Sequence, residues 1–141
     1  MLGWCSTVGE MDGSSGRQVY SHRDLVVWQR AMNLVDRVYD LADNFPARER
    51  FGLASQLTRA VVSVPANIAE GRARSTAKDF ANFLVMARAS LMETDTLLTV
   101  ALRRNYISED AAKSISTEVV AISKMLSSLR GKIIGKRTDH D

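Results

Sequence analysis

Histidine, cysteine, serine and paired carboxylates are the first side chains to weigh for chemistry. A Ser–His or Cys–His centre needs its imidazole within hydrogen-bond reach of the nucleophile. The two histidines, His22 and His140, stand near opposite ends of a 141-residue sequence, so no histidine-based centre is expected inside a fold. Cys5 is the single cysteine, which excludes an internal disulfide and a Cys-based zinc site. Glu93 and Asp95, two positions apart on a helix, point in different directions. Asp36 and Asp40 are like charges at i, i+4 and read as a solvated face, since a metal site would need further converging ligands. The sequence holds no phosphate-binding Gly-rich loop, no HExxH, no GxSxG and no Glu-x-x-His pair. It therefore predicts no enzyme, no cofactor, no metal and no small-molecule substrate.

The chemistry that remains is ionic. The formal net charge is +3, and it is unevenly spread. Residues 124–137 carry Lys124, Arg130, Lys132, Lys136 and Arg137 and no acid. Residues 46–74 carry five arginines, Arg72 and Arg74 among them, against two glutamates. Residues 24–45 carry four aspartates against two arginines. Such segregation suits a polyanion or an acidic partner, though on charge alone plain solubility serves as well. RNP aromatics and zinc-finger spacing are absent, so a basic helical surface here would hold RNA or DNA backbone without reading bases. The candidate nucleic-acid-binding residues are Arg72, Arg74, Lys124, Arg130, Lys132, Lys136 and Arg137.

These side chains need elements to position them. With 45% hydrophobic and 25% charged residues, the chain reads as one soluble domain. No apolar run is long enough to span a membrane, and no secretory signal opens the sequence, so a cytoplasmic setting is expected. Residues 1–21, rich in Gly and Ser, read as a disordered extension, 22–134 as the folded domain, and 135–141 as a frayed basic tail. A first helix is predicted over 24–45 with Asp24 as N-cap, stopped by Pro46. A second covers 48–70, kinked at Pro65 and ended by Gly71. A third runs from a Ser75 cap to 104, and a fourth starts at a Ser108 cap. Strand alternation is absent. The fold class is all-α, an antiparallel up-down-up-down four-helix bundle.

One apolar stripe per helix suffices for a bundle core, and the fourth helix has one. The first three carry more. On the second, a compact flank of Thr58, Val62, Pro65 and Ala69 adjoins a polar stripe of Gln56, Arg59, Ser63 and Glu70. On the third, Ala81, Val85, Ala89, Met92, Thr96 and Val100 form a second stripe. Continuous surplus stripes predict self-association into a ring. The candidate oligomer interface is Arg59, Val62, Pro65, Ala69, Glu70, Val85, Ala89 and Met92. Arg59 and Glu70, too far apart to pair on one helix, are each expected to pair with a neighbouring helix or subunit.

Two stretches carry a family likeness. His22-Arg23-Asp24-Leu25-Val26-Val27-Trp28-Gln29 opens the first helix. A longer run from Ser55 to Gly71 ends in Pro65-Ala66-Asn67-Ile68-Ala69-Glu70-Gly71, and Phe83, Leu84 and Ala87 come after it in the third helix. Together, over about 22–131, they resemble the bacterial four-helix-bundle family named for proteins encoded in 23S rRNA intervening sequences. The residues before Ser21 depart from its pattern. The resemblance implies the bundle fold and a homo-oligomer, typically a homopentamer. It also implies kinship with the accessory variability determinants of diversity-generating retroelements, which are basic barrels that associate with a reverse transcriptase and nucleic acid. The function implied is a non-catalytic oligomeric scaffold for structured RNA or other nucleic acid, as an accessory factor of a retroelement reverse transcriptase. The alternative is a protein-interaction module with no direct nucleic-acid role.

Overall fold

The computed structural model describes residues 21–138, the last three by backbone alone. Among the described residues the chain forms four α-helices and two short 3-10 turns, with no strand. The helices are α1 (Val26–Ala42), α2 (Leu53–Arg72), α3 (Ala77–Arg103) and α4 (Glu109–Thr138). The expected extension over 1–20 and the last three residues of the expected tail lie outside the described residues.

The start of α1 departs from expectation. Asp24 does not cap a long helix; it closes a 3-10 turn over His22–Asp24, and α1 begins at Val26. Ser21 Oγ accepts from the Arg23 N–H, and the Ser21 N–H donates to Asp24 Oδ2 at 3.1 Å. That reciprocal capping box satisfies two donors at once and places Ser21 in the fold rather than in an extension. The His22 ring packs edge-on against Trp28 with centroids 5.2 Å apart, which holds the turn on α1.

α1 ends at Ala42, short of the expected 45 and ahead of Pro46, and α2 begins five residues later than the sequence suggests. A 3-10 turn, Ala47–Glu49, intervenes, and Gly52 precedes α2 with non-helical φ and ψ of −108° and −110°. Glu49 lies before the helix and ties its start to the rest of the fold: Oε1 accepts from the Leu53 N–H at 3.5 Å, and Tyr106 donates its hydroxyl to Oε2 at 2.9 Å. The Tyr106 ring packs in turn on Phe45. From Leu53 the helix runs unbroken through Pro65 to Arg72.

Thr76, not Ser75, caps α3: its Oγ1 accepts from the Asp79 N–H at 3.1 Å. The helix ends at Arg103, and Asn105 just beyond it has a left-handed φ of 63°. The N–H of Tyr106 reaches Ala101 O, and that of Asn105 reaches Leu102 O, both at 2.9 Å. This is a Schellman motif with asparagine in glycine's usual place. Ser108 caps α4 as expected, accepting from the Ala111 N–H at 3.1 Å. No proline interrupts α4, and it stays helical to Thr138 where fraying from Gly135 was predicted.

The core draws on every helix: Leu34 and Val38 from α1, Leu57, Val61, Val64 and Ile68 from α2, Leu84 and Leu91 from α3, Ile122 and Leu126 from α4. Thr94, also fully buried, satisfies its hydroxyl by donating to Ser90 O. At the α1–α4 seam Arg30 donates to both carboxylate oxygens of Glu118, at 2.9 and 2.8 Å. These bonds hold the Glu118 carboxyl below its ordinary pKa, against the opposing effect of burial. A depressed folded-state carboxyl stabilises above its unfolded pKa and loses that contribution as pH falls through the folded one. Thermal melts should therefore separate wild type from Glu118→Gln near neutral pH and draw together as the pH falls below the ordinary carboxyl range.

Candidate functional site

The run from Pro65 to Gly71 buries Pro65, Ile68 and Gly71, and at Gly71 it is built for close approach to α3. Asn67 Nδ2 donates back to Ser63 O and Oγ. Ser90 of α3 donates its hydroxyl to Ser63 Oγ at 3.0 Å across the seam. Gly71 is no helix terminator. It lies inside α2 and is buried, and a Cβ there would stand 2.6 Å from Phe83 Cβ and 3.3 Å from Phe80 O. Glycine is present because α3 passes where a side chain would be. The motif that reads as most distinctive in the sequence is thus a packing device.

The predicted interface residues divide. Pro65 is buried within the protomer, so it is not part of an outer flank; its position turns toward the core between Val61 and Ile68. Ala69 is half-buried. Val62, Val85 and Met92 are exposed by 40%, 49% and 41%, and Met86 and Val100 by 50% and 41%. Asn82, Val85, Ala89, Met92, Thr96 and Val100 lie along one exposed face of α3 without a charge among them, over about 27 Å of helix. Ala81, counted with that stripe in the sequence, is buried against the core instead.

Arg59 and Glu70 do not both reach across helices. Glu70 accepts from Arg74 at 3.3 Å, an i, i+4 pair at the end of its own helix. The local partner wins because Arg74 is already steered there by stacking on Phe83, 4.8 Å from the ring centroid. Arg59 lies with Gln56 and Ser63 along a polar cleft of about 310 Å³ that Glu93 borders from α3. It makes no ion pair or hydrogen bond among the described residues.

Of the predicted nucleic-acid residues, Arg74 is tied to Glu70 and Arg72 is half-buried at the end of α2. Lys124, Arg130 and Lys132 are exposed on α4. The α4 helix carries Lys136 and Arg137 in its last turns. Lys124 and Lys132 also border something the sequence did not reveal: a groove of about 470 Å³ between the start of α1 and the C-terminal half of α4. Its lining of Leu25, Val26 and Val27 against Met125 and Leu129 comes from segments about a hundred residues apart, which helical periodicity cannot juxtapose. A second cleft missed in the sequence is walled by Tyr39, Arg50 and Phe51. Phe51 is 89% exposed, with the Arg50 guanidinium over its ring. Among the described residues no group of His, Cys, Asp and Glu side chains could hold a metal ion, and no helix is long and apolar enough to cross a membrane.

Residues 23–128 match the family model described as 23S rRNA-intervening sequence protein. A similar solved structure is a protein of unknown function from the S23 ribosomal protein family of Bacteroides thetaiotaomicron. It is 27% identical, with a TM-score of 0.69, over 74% of this chain and 95% of that one. No curated protein matches.

Proposed function

The chain belongs to the 23S rRNA-intervening sequence protein family, and on that premise we propose that it is a non-catalytic scaffold that self-associates and binds nucleic-acid backbone through one basic end. The observation that carries the second part is the continuation of α4 to Thr138. It carries the acid-free run 124–138 on one helix, so these cations share a single backbone element. Alternating helix directions are supported by paired contacts. Arg30 meets Glu118 while Arg37 meets Ser114, so α4 numbers fall as α1 numbers rise. Ser63 with Ser90 and Gly71 with Phe83 give the same sense for α2 and α3. In that up-down-up-down reading the ends of α2 and α4 share one face, which unites Arg72 and Arg74 with Arg130, Lys132, Lys136 and Arg137.

Self-association rests on the charge-free α3 face. A closed ring, with five copies as the family likeness implies, would repeat the basic end and make backbone contact multivalent. A reverse transcriptase is the protein partner that the retroelement likeness would add, and the scaffold would work in the cytoplasm.

Fluorescence anisotropy with a labelled structured RNA tests the reading. Wild type should bind at low salt, with affinity falling steeply as salt rises. Changing Arg72, Arg74 and Arg130 together to Gln should lower the slope of log K against log salt by about 2 to 3 per protomer, with the circular dichroism unchanged. No binding at low salt, or an unaltered slope, rejects nucleic-acid contact. Salt-insensitive capture of a reverse transcriptase would favour the protein-interaction module instead.

A further inference from the structure

The groove between α1 and α4 has the composition of a peptide site rather than of a phosphate site. Its floor is aliphatic: Leu25, Val26, Met125 and Leu129. Val26, the first residue of α1, remains 58% exposed, and no described residue covers it. Met125 supplies an adaptable surface, since its unbranched thioether repacks at low cost. The volume of about 470 Å³ falls in the ordinary range for pockets that bury a ligand, about 300–1,000 Å³.

The rim is cationic. Lys124 and Lys132 both border the groove and lie eight residues apart on α4, about 12 Å along its axis. Neither makes an ion pair or hydrogen bond among the described residues. No carboxylate lines the groove; Glu118, earlier on α4, is held by Arg30, and Asp24, next to Leu25, accepts from the Ser21 N–H. Aliphatic stems can lie along the floor while the ammonium groups stay at the edge. The groove has no aromatic platform on which a base could stack, and between the two lysines its lining is aliphatic save for Ser128.

We propose that this groove docks an acidic amphipathic helix of a partner protein, apolar stripe on the Leu25–Leu129 floor and two carboxylates against Lys124 and Lys132. Helix-in-groove recognition places anchors at i, i+3, i+4 and i+7. Carboxylates two turns apart on such a helix are spaced to meet both lysines. The site is separate from the charge-free α3 face and shares Lys132 alone with the proposed basic end; the RNA test changes only arginines, so the two readings fail separately.

The probe is a fluorescein-labelled helical peptide of about four turns, with a leucine stripe and two glutamates eight positions apart. Anisotropy should report binding to the full chain in the micromolar range. Lys124→Glu with Lys132→Glu should weaken it at least tenfold, and a peptide with lysines in place of its glutamates should recover binding to that variant. Val26→Asp, at an exposed position that leaves the helix intact by circular dichroism, should abolish binding of both peptides. No wild-type binding, or a charge reversal without rescue, overturns the proposal. So does a shift of oligomeric state in the lysine variant, which would assign the groove to a second copy. A tenfold gain in peptide affinity on deleting residues 1–20 would assign it to the chain's own N-terminal segment, and full competition by single-stranded RNA would assign it to nucleic acid.

Discussion

Gly71→Val should destabilise the fold by about 3 kcal/mol or more, the upper range for overpacking a tight interior. The first added atom alone would stand 2.6 Å from Phe83 Cβ, a position fixed by the α3 backbone rather than by a flexible tip. Two further methyl groups add to the clash. Valine's better helix propensity returns only about half a kcal/mol. The clash can be relieved only if α3 moves off α2, which would also strain the Ser63–Ser90 bond across the same seam. Gly71→Ala should cost less, about 1–2 kcal/mol, and Phe83→Ala in that background should show coupling between the two sites rather than simple addition. Urea denaturation measures all three. A Gly71→Val protein with the wild-type midpoint would show that the two helices do not approach this closely.

Val85→Glu with Met92→Glu should convert an assembly into protomers while leaving helicity unchanged. Both side chains are exposed in the protomer, by 49% and 41%, so carboxylates there face water and the core is untouched. Buried in an interface between copies, an unpaired carboxylate would cost at least about 3 kcal/mol, which is over a hundredfold in association constant. Light scattering at micromolar concentration reads the result. The same substitutions on a chain that does not self-associate would change nothing, and a stable wild-type monomer at that concentration removes the assembly from the proposed function.

Much of the architecture was legible because amphipathic helices announce themselves by local periodicity. Leu53, Leu57, Val61, Val64 and Ile68 recur at helical spacing, and all five are buried. Ser108 caps α4 through an interaction spanning three residues, which a sequence can display. The errors fall where a distant residue competes with a local preference. Asp24 is a good N-cap by type, yet Ser21 and the His22–Trp28 contact hold it in a 3-10 turn. Helix α2 starts at Leu53, and Glu49, expected inside it, instead accepts from Tyr106, more than fifty residues away.

Gly71 marks the boundary between the two kinds of information. By itself the sequence determined an all-helical chain of four segments, their apolar stripes and a basic C-terminal run, because each depends on residues within a few turns of one another. A glycine after an apolar stripe looks like a terminator by the same logic. Only the tertiary structure decided that Gly71 is a contact point for Phe80 and Phe83, that Glu70 turns to Arg74, and that Leu25 and Val26 meet Met125 and Leu129 to leave a lysine-edged groove. Periodicity specifies which face of a helix is apolar. It does not specify which other helix covers that face or how closely, since those are set by steric fit between segments far apart in the chain.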